Sequence, residues 1–427
     1  VTRIADVAGQ EGVARSVLPG GVRVFTESMP GVRSTSIGAW VGVGSRDEQG
    51  GHHGSTHFLE HLLFKGTARR DAMEIASAFD RVGGEANAAT AKEHTCYHAR
   101  ILDSDLPMAV DVLLDMVTSA LLDAEAFEIE RGVILEELAM TEDDPHEVAH
   151  EAFSAAVFGD NPLARPIGGT PTTIRRVPRD AVWEHYRAQY RPDTLVVTAA
   201  GSVDHDALIT LVEQALDRGG WDSRAHDDEP VPRRATSPVL GLPGAGEPVR
   251  LVRTVEQAQV MTGCVGIRAT DERRHALSVL NVVLGGGMSS RLFQEIRERR
   301  GLAYATYSFA SGHAETGSFG LYAGCAPGNA AEVAGLLDAE WARLAAGGIT
   351  DAELVRARGQ LSGGLVLGLE DPSSRMARLG RAELVTGELP TVDEMLARIA
   401  AVTRDQVADL AADLASRPRV HLSLTPG

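Results

Sequence analysis

A chain of 427 residues is longer than one domain usually runs, and 44% hydrophobic with 23% charged residues is the make-up of an ordinary globular protein. The formal net charge of −18, from 41 Lys and Arg against 59 Asp and Glu, argues against nucleic acid as a partner, since phosphate binding needs basic patches. It would suit a cavity that draws in basic peptides, and equally plain solubility. Three scattered cysteines, Cys96, Cys264 and Cys325, set up no disulfide framework and point to a reducing compartment. With no apolar run of membrane-spanning length and no signal-peptide core in the opening residues, the expectation is a cytoplasmic protein without a membrane partner.

In chain order, alternating apolar residues predict strands over 21–27 and 36–43, then helices over 54–65 and 72–82. A strand over 94–102 and long helices over 106–122 and 125–158 follow. Residues 219–248 hold five prolines, several glycines and no apolar period, which marks a linker. Beyond it, strands over 249–254 and 258–267 lead to helices over 271–284 and 290–299, then strands over 303–311 and 317–325 and further long helices. The segment RVGGEANAATAKEHTCYHARI (81–101) can be laid over RRGLAYATYSFASGHAETGSFGLYAG (299–324) with a few residues inserted. The halves therefore read as one duplicated α+β unit. The expected domains are 1–218 and 249–427, each a mixed, mainly antiparallel sheet with helices packed on it.

The chemistry concentrates in His57-Phe58-Leu59-Glu60-His61. On a helix, histidines four apart project from one face, so both imidazoles can reach one zinc ion, and Glu60 lies on the same side. The order HxxEH is the reverse of the commoner HExxH and is a zinc-peptidase signature in its own right. A third ligand is needed, with a fourth position open to water. The acidic helix from Glu125 to Glu137 supplies several candidates, among which Glu130 and Glu137 are two turns apart on one face.

Several stretches together resemble the pitrilysin and mitochondrial-processing-peptidase family of inverted zincins. They are GSRDE (44–48), HFLEHLLFKGT (57–67), VGGEANAATAKEHTCYH (82–98), ERGVILEEL (130–138), NPLARPIGGT (161–170) and RGLAY (300–304), in the family's order over nearly the whole chain. The one departure is Thr56, where a smaller residue is usual. The resemblance implies one Zn2+ per chain held by His57, His61 and Glu137, with Glu130 as an auxiliary glutamate. The second half has lost the metal motif; an apolar helix, Ala276 to Leu284, stands in its place. Arg297 and Tyr304 match the arginine and tyrosine that the family's C-terminal domain contributes to its active site.

The implied activity is that of a zinc metalloendopeptidase, with Glu60 as general base and then acid, and Tyr304, assisted by Arg297, stabilising the oxyanion. Zinc and its helpers would then meet as the halves close like a clamshell. A peptide or unfolded segment would lie as an added strand along Gly83–Ala88, with Asn87 and Ala88 flanking the scissile bond. Glu147 and Glu151, four apart, resemble an acidic pair that recognises an arginine near the cleavage site. His52, His53, His94, His98, His146 and His150 read as surface or supporting residues rather than ligands. Subunits of this length in the family commonly pair, so a homodimer is expected, with a heterodimer as the variant. The alternative function is a non-catalytic or heterodimeric partner subunit that binds peptides and structures a peptidase complex.

Overall fold

The computed structural model describes residues 2–4, 12–221, 229–235 and 246–427; most of the 219–248 linker lies outside them. The chain forms two compact units that interleave along the sequence. The first comprises 1–138, 166–233 and 368–391; the second comprises 139–165, 234–367 and 392–427.

The first unit is built on a seven-stranded sheet of β1 (Thr2–Ile4), β2 (Val13–Val17), β3 (Arg23–Ser28), β4 (Ser34–Val41), β5 (Glu85–Thr90), β6 (Thr95–Leu102) and β7 (Leu195–Gly201), in the order β1-β2-β3-β7-β4-β6-β5. The second has five strands, β8 (Val249–Val252), β9 (Ala258–Val265), β10 (Ala303–Gly312), β11 (Gly317–Cys325) and β12 (Val420–Thr425), ordered β10-β11-β9-β12-β8. Each contains one parallel pair, β3 with β7 and β8 with β12, and is otherwise antiparallel. Read from β5, the run β5-β6-β4-β7-β3 repeats β10-β11-β9-β12-β8 in order and in sense. The overlay of 81–101 on 299–324 thus pairs two edge hairpins, β5–β6 and β10–β11.

Both sheets are covered on both faces, which is why β7 and β11 are buried along their whole length. In β4, Ile37, Ala39 and Val41 face the core under helix Leu106–Ser119. Trp40 faces the other way, onto Met376 and Leu379 of helix Pro372–Arg381. In β9, Val260 and Cys264 face one core while Met261 meets Ala149, Phe153 and Val157 of helix Pro145–Phe158. The covering helices are exchanged: the first half of the chain supplies the one in the second unit, and the second half supplies the one in the first. Buried Glu27 of β3 ties the exchanged helix down through Arg375 and, at 3.1 Å, Arg378.

The helix expected over 125–158 is two helices, Ala124–Asp143 and Pro145–Phe158. Pro145 has no N–H to continue the first, and the Asp144 carboxylate accepts the His146 N–H at 2.9 Å to start the second. The strands β2 and β7 carried no usable period: β7 is apolar but for Thr198 and does not alternate, and such runs do not distinguish strand from helix.

Candidate metal centre and surroundings

Helix Ser55–Leu63 is anchored by Phe58, Leu59, Leu62 and Leu63, all fully buried, which leaves His57, Glu60 and His61 on its less buried face. Its start is tightly specified. Gly54 has φ +97°, and a Cβ there would lie 2.5 Å from Ile174 Cδ1 and 2.8 Å from the Gly168 carbonyl. Buried Glu48 accepts the N–H groups of Gly54 and Thr56, both at 2.8 Å, and so caps the helix that carries the motif. Thr56 is also fully buried, with its hydroxyl 3.1 Å from His185 Nε2. Burial pulls His185 down to about 4, so that ring is neutral at pH 7.

The second carrier, helix Ala124–Asp143, is fastened to the first by aromatic stacking. Phe58 and Phe127 lie 4.3 Å apart and nearly parallel, and the Arg131 guanidinium sits 4.8 Å from the Phe127 ring while bonding the carbonyls of Ile174 and Val177. That fixes Glu130 and Glu137 against the histidines. Glu137 Oε2 lies 3.7 Å from His57 Nε2 and 3.4 Å from His61 Nε2, and one donor atom from each residue falls within 4.8 Å of the others. Ligands bonded at about 2 Å to a common tetrahedral centre stand about 3.3 Å apart, so the three donors suit a zinc-sized ion.

Glu130, from the same face of its helix, has a different place. It is 2% exposed, with Oε2 3.0 Å from His61 Nδ1 and Oε1 2.8 Å from Lys65 Nζ. A carboxylate on Nδ1 leaves Nε2 as the free donor of His61 and fixes its tautomer. Lys65 balances the buried charge. Among the described residues His57 Nδ1 has no hydrogen-bond partner, and burial lowers the pKa of this ring, with Glu137 opposing. Burial thus favours the neutral imidazole, the form a metal requires.

Glu60 is half-buried, and its charge acts on His57, His98, Tyr97 and Tyr190. Burial lowers the pKa of His98, with Glu60 opposing. The hydroxyls of Tyr97 and Tyr190 pair at 3.0 Å in the core. Asn87 and Ala88 lie on β5, whose outer edge pairs with no other strand among the described residues; on the inner side they face His98 and Tyr97.

The remaining expected residues belong to the second unit. The Arg297 guanidinium is stacked 4.7 Å from the Phe293 ring and 4.4 Å from the Tyr304 ring, and it donates to the Tyr304 carbonyl at 3.1 Å. Tyr304 itself is 77% exposed. Glu147 and Glu151 are exposed on helix Pro145–Phe158. His146 and His150, read from sequence as surface or supporting residues, both engage the Tyr307 hydroxyl. Sequence reasoning also gave no role to Glu48, Lys65 or His185; GSRDE contained the first, but its bonds to the motif helix are visible only in three dimensions.

Among known proteins, residues 23–171 match the family described as insulinase, peptidase family M16, and residues 176–361 match the one described as the peptidase M16 inactive domain. An uncharacterized zinc protease of Streptomyces coelicolor is 50% identical over 96% of this chain and 90% of its own length. One from Bacillus subtilis is 38% identical over 94% and 95%. A solved protease from Helicobacter pylori superposes with a TM-score of 0.87 at 22% identity, covering 96% of this chain and 99% of that one. A peptidase M16 inactive domain from Pseudomonas fluorescens gives 0.86 at 20%, covering 98% of both chains. At these identities the two structures speak to fold alone.

Proposed function

The chain belongs to peptidase family M16, and from that premise we propose that it is a zinc-dependent endopeptidase with its metal at His57, His61 and Glu137. The observation that carries this reading is the convergence of those three donors on one helix pair, with His61 oriented by buried Glu130. A bound zinc would supply Lewis acidity toward water and the peptide carbonyl. The Glu60 carboxylate takes a proton from the attacking water as the water oxygen bonds to the peptide carbonyl carbon, and returns it to the amine nitrogen as the bond between that nitrogen and the carbon breaks. The free edge of β5 offers backbone groups to an extended peptide, and Asn87 and Ala88 border the bond to be cut. In this reading the Tyr304 hydroxyl donates to the developing oxyanion, and Arg297, stacked on the ring, fixes its direction.

The alternative, a non-catalytic partner subunit, is less well supported because such a protein has no use for Glu60 beside an intact donor set. No described helix is long and apolar enough to cross a membrane. Pairing as a homodimer, a preference for basic peptides and residence in the cytoplasm extend the proposal and await measurement. The experiment is cleavage-site profiling on a peptide library with and without chelator. Internal cleavage that stops on chelation and returns with zinc is the expected result; cleavage indifferent to chelator overturns the proposal.

A further inference from the structure

A second pair of histidines in this chain reproduces the geometry of the first. Residues 146–150 read His146-Glu147-Val148-Ala149-His150, the ordinary HExxH order, on helix Pro145–Phe158. Four apart, the two rings share a face, and their centroids lie 4.5 Å apart, against 4.8 Å for His57 and His61. Both Nε2 atoms converge on a third donor, the Tyr307 hydroxyl of β10, at 2.5 Å from His146 and 2.7 Å from His150. The far side of one ring again meets a carboxylate: Glu147 Oε1 lies 3.3 Å from His146 Nδ1, as Glu130 lies by His61 Nδ1. All four residues are in the second unit. We propose that His146, His150 and Tyr307 form a second cation site, for a divalent ion of the zinc, cobalt, nickel or copper class.

The donor set argues for that class. Two imidazole nitrogens and one phenol oxygen suit borderline transition-metal ions and do not suit calcium or magnesium, which favour oxygen ligands. Without an ion, one phenolic proton serves two rings: Tyr307 donates to one imidazole and accepts from the other. With Glu147 accepting the Nδ1 proton of His146, the directed chain runs from His150 Nε2–H to Tyr307 to His146 Nε2. On binding, the phenol proton passes to solvent, His150 carries its ring proton on Nδ1, and the phenolate and both Nε2 atoms bind the ion. The donors now stand closer than the about 3.3 Å of a tetrahedral set, so they must spread by less than about 1 Å. His146, with its side chain 40% exposed, is on the open side and has room to turn. Tyr322 stacks on Tyr307 at 4.7 Å and Phe309 packs on His150 at 4.9 Å, an aromatic wall that fixes the other two donors. An ion there would clamp helix Pro145–Phe158 to β10.

The test counts metal rather than activity. The full chain, stripped with chelator, is titrated with zinc chloride and scored for tight sites by calorimetry. The parent should bind two zinc ions per chain, and the His57→Ala/His61→Ala and His146→Ala/His150→Ala proteins one each. Tyr307→Phe keeps the ring packing and should weaken the second zinc by at least ~10-fold. With copper(II) on the His57→Ala/His61→Ala protein, a phenolate charge-transfer band should appear and be absent once Tyr307→Phe is added. One zinc in the parent and none in His57→Ala/His61→Ala would overturn the proposal, as would a second zinc untouched by both the histidine and tyrosine changes. A single zinc lost only in His146→Ala/His150→Ala would support this site and remove the one at His57, which keeps the two readings distinguishable.

Discussion

Glu130 and His61 are joined through the ring nitrogen that faces away from the donor cluster, 3.0 Å from Nδ1 to Oε2, and Lys65 closes the other carboxylate oxygen at 2.8 Å. Glu130 therefore acts through His61. Glu130→Gln removes the charge that orients the ring and strands Lys65, so zinc affinity should fall by roughly 10- to 100-fold, as for other partners of metal-bound histidines. Adding Lys65→Met removes the stranded cation and should recover stability without recovering zinc affinity. Competition against a chelator of known affinity measures this; unchanged zinc binding in Glu130→Gln would show that the pair is structural only.

Substitution of Glu60 should separate metal binding from chemistry. Glu60→Gln keeps shape and hydrogen bonding but cannot take a proton, so the protein should fold, bind zinc like the parent and lose at least ~100-fold in kcat. His61→Ala or Glu137→Ala should instead lose metal. Parent-like turnover by Glu60→Gln on peptide substrates would be incompatible with the mechanism.

The difference between these two glutamates shows what could be read from the chain. HxxEH was legible because histidines four apart declare their shared face in sequence. Glu130 and Glu137 also share a face, and residue spacing alone gave them equal standing; burial and the two ring nitrogens separate them in the structure. Both halves of the fold were visible from the repeated hairpin, because alternation marks half-buried strands. The exchange of helices was not, since nothing local in 145–158 or 372–381 says which sheet an amphipathic helix will cover. The meeting of His146 and His150 with Tyr307 was hidden likewise, its partners being far apart along the chain.

The exchanged helix should matter to the first unit as much as its own elements do. Leu379 is fully buried against the Trp40 face of the sheet. Leu379→Ala should cost about 2–5 kcal/mol and shift Trp40 emission to the red on partial unfolding. Thermal and denaturant unfolding followed by tryptophan fluorescence measures it. A loss below about 0.5 kcal/mol would mean the helix is dispensable to that unit.

Acid stability should depend on Glu353. Burial opposes its charge, but two bonds from Arg291, at 2.7 and 2.9 Å, and those from Thr350 prevail and hold its pKa at about 2. A carboxylate lowered on folding contributes stability that is complete above its unfolded value, 4.5, and lost as pH falls through the folded value. Parent and Glu353→Gln should therefore differ most above about pH 4.5 and converge toward pH 2, by roughly 1–3 kcal/mol at the plateau. Unfolding midpoints at stepped pH decide it, and a gap that widens on acidification would refute the assignment.

The proposed preference for basic peptides rests on Glu147 and Glu151. Both are exposed and one helical turn apart, so a guanidinium could bridge them, but Glu147 already touches His146 Nδ1 at 3.3 Å. If they recognise arginine, the double change to glutamine should lower kcat/KM for arginine peptides by about 10- to 100-fold, which corresponds to 1.5–3 kcal/mol of charge-assisted bonding, and spare neutral peptides. Added salt should weaken the arginine peptides more than the neutral ones. Equal losses on both peptide classes would place the pair in folding. No loss on either would return both glutamates to a solvated helix face.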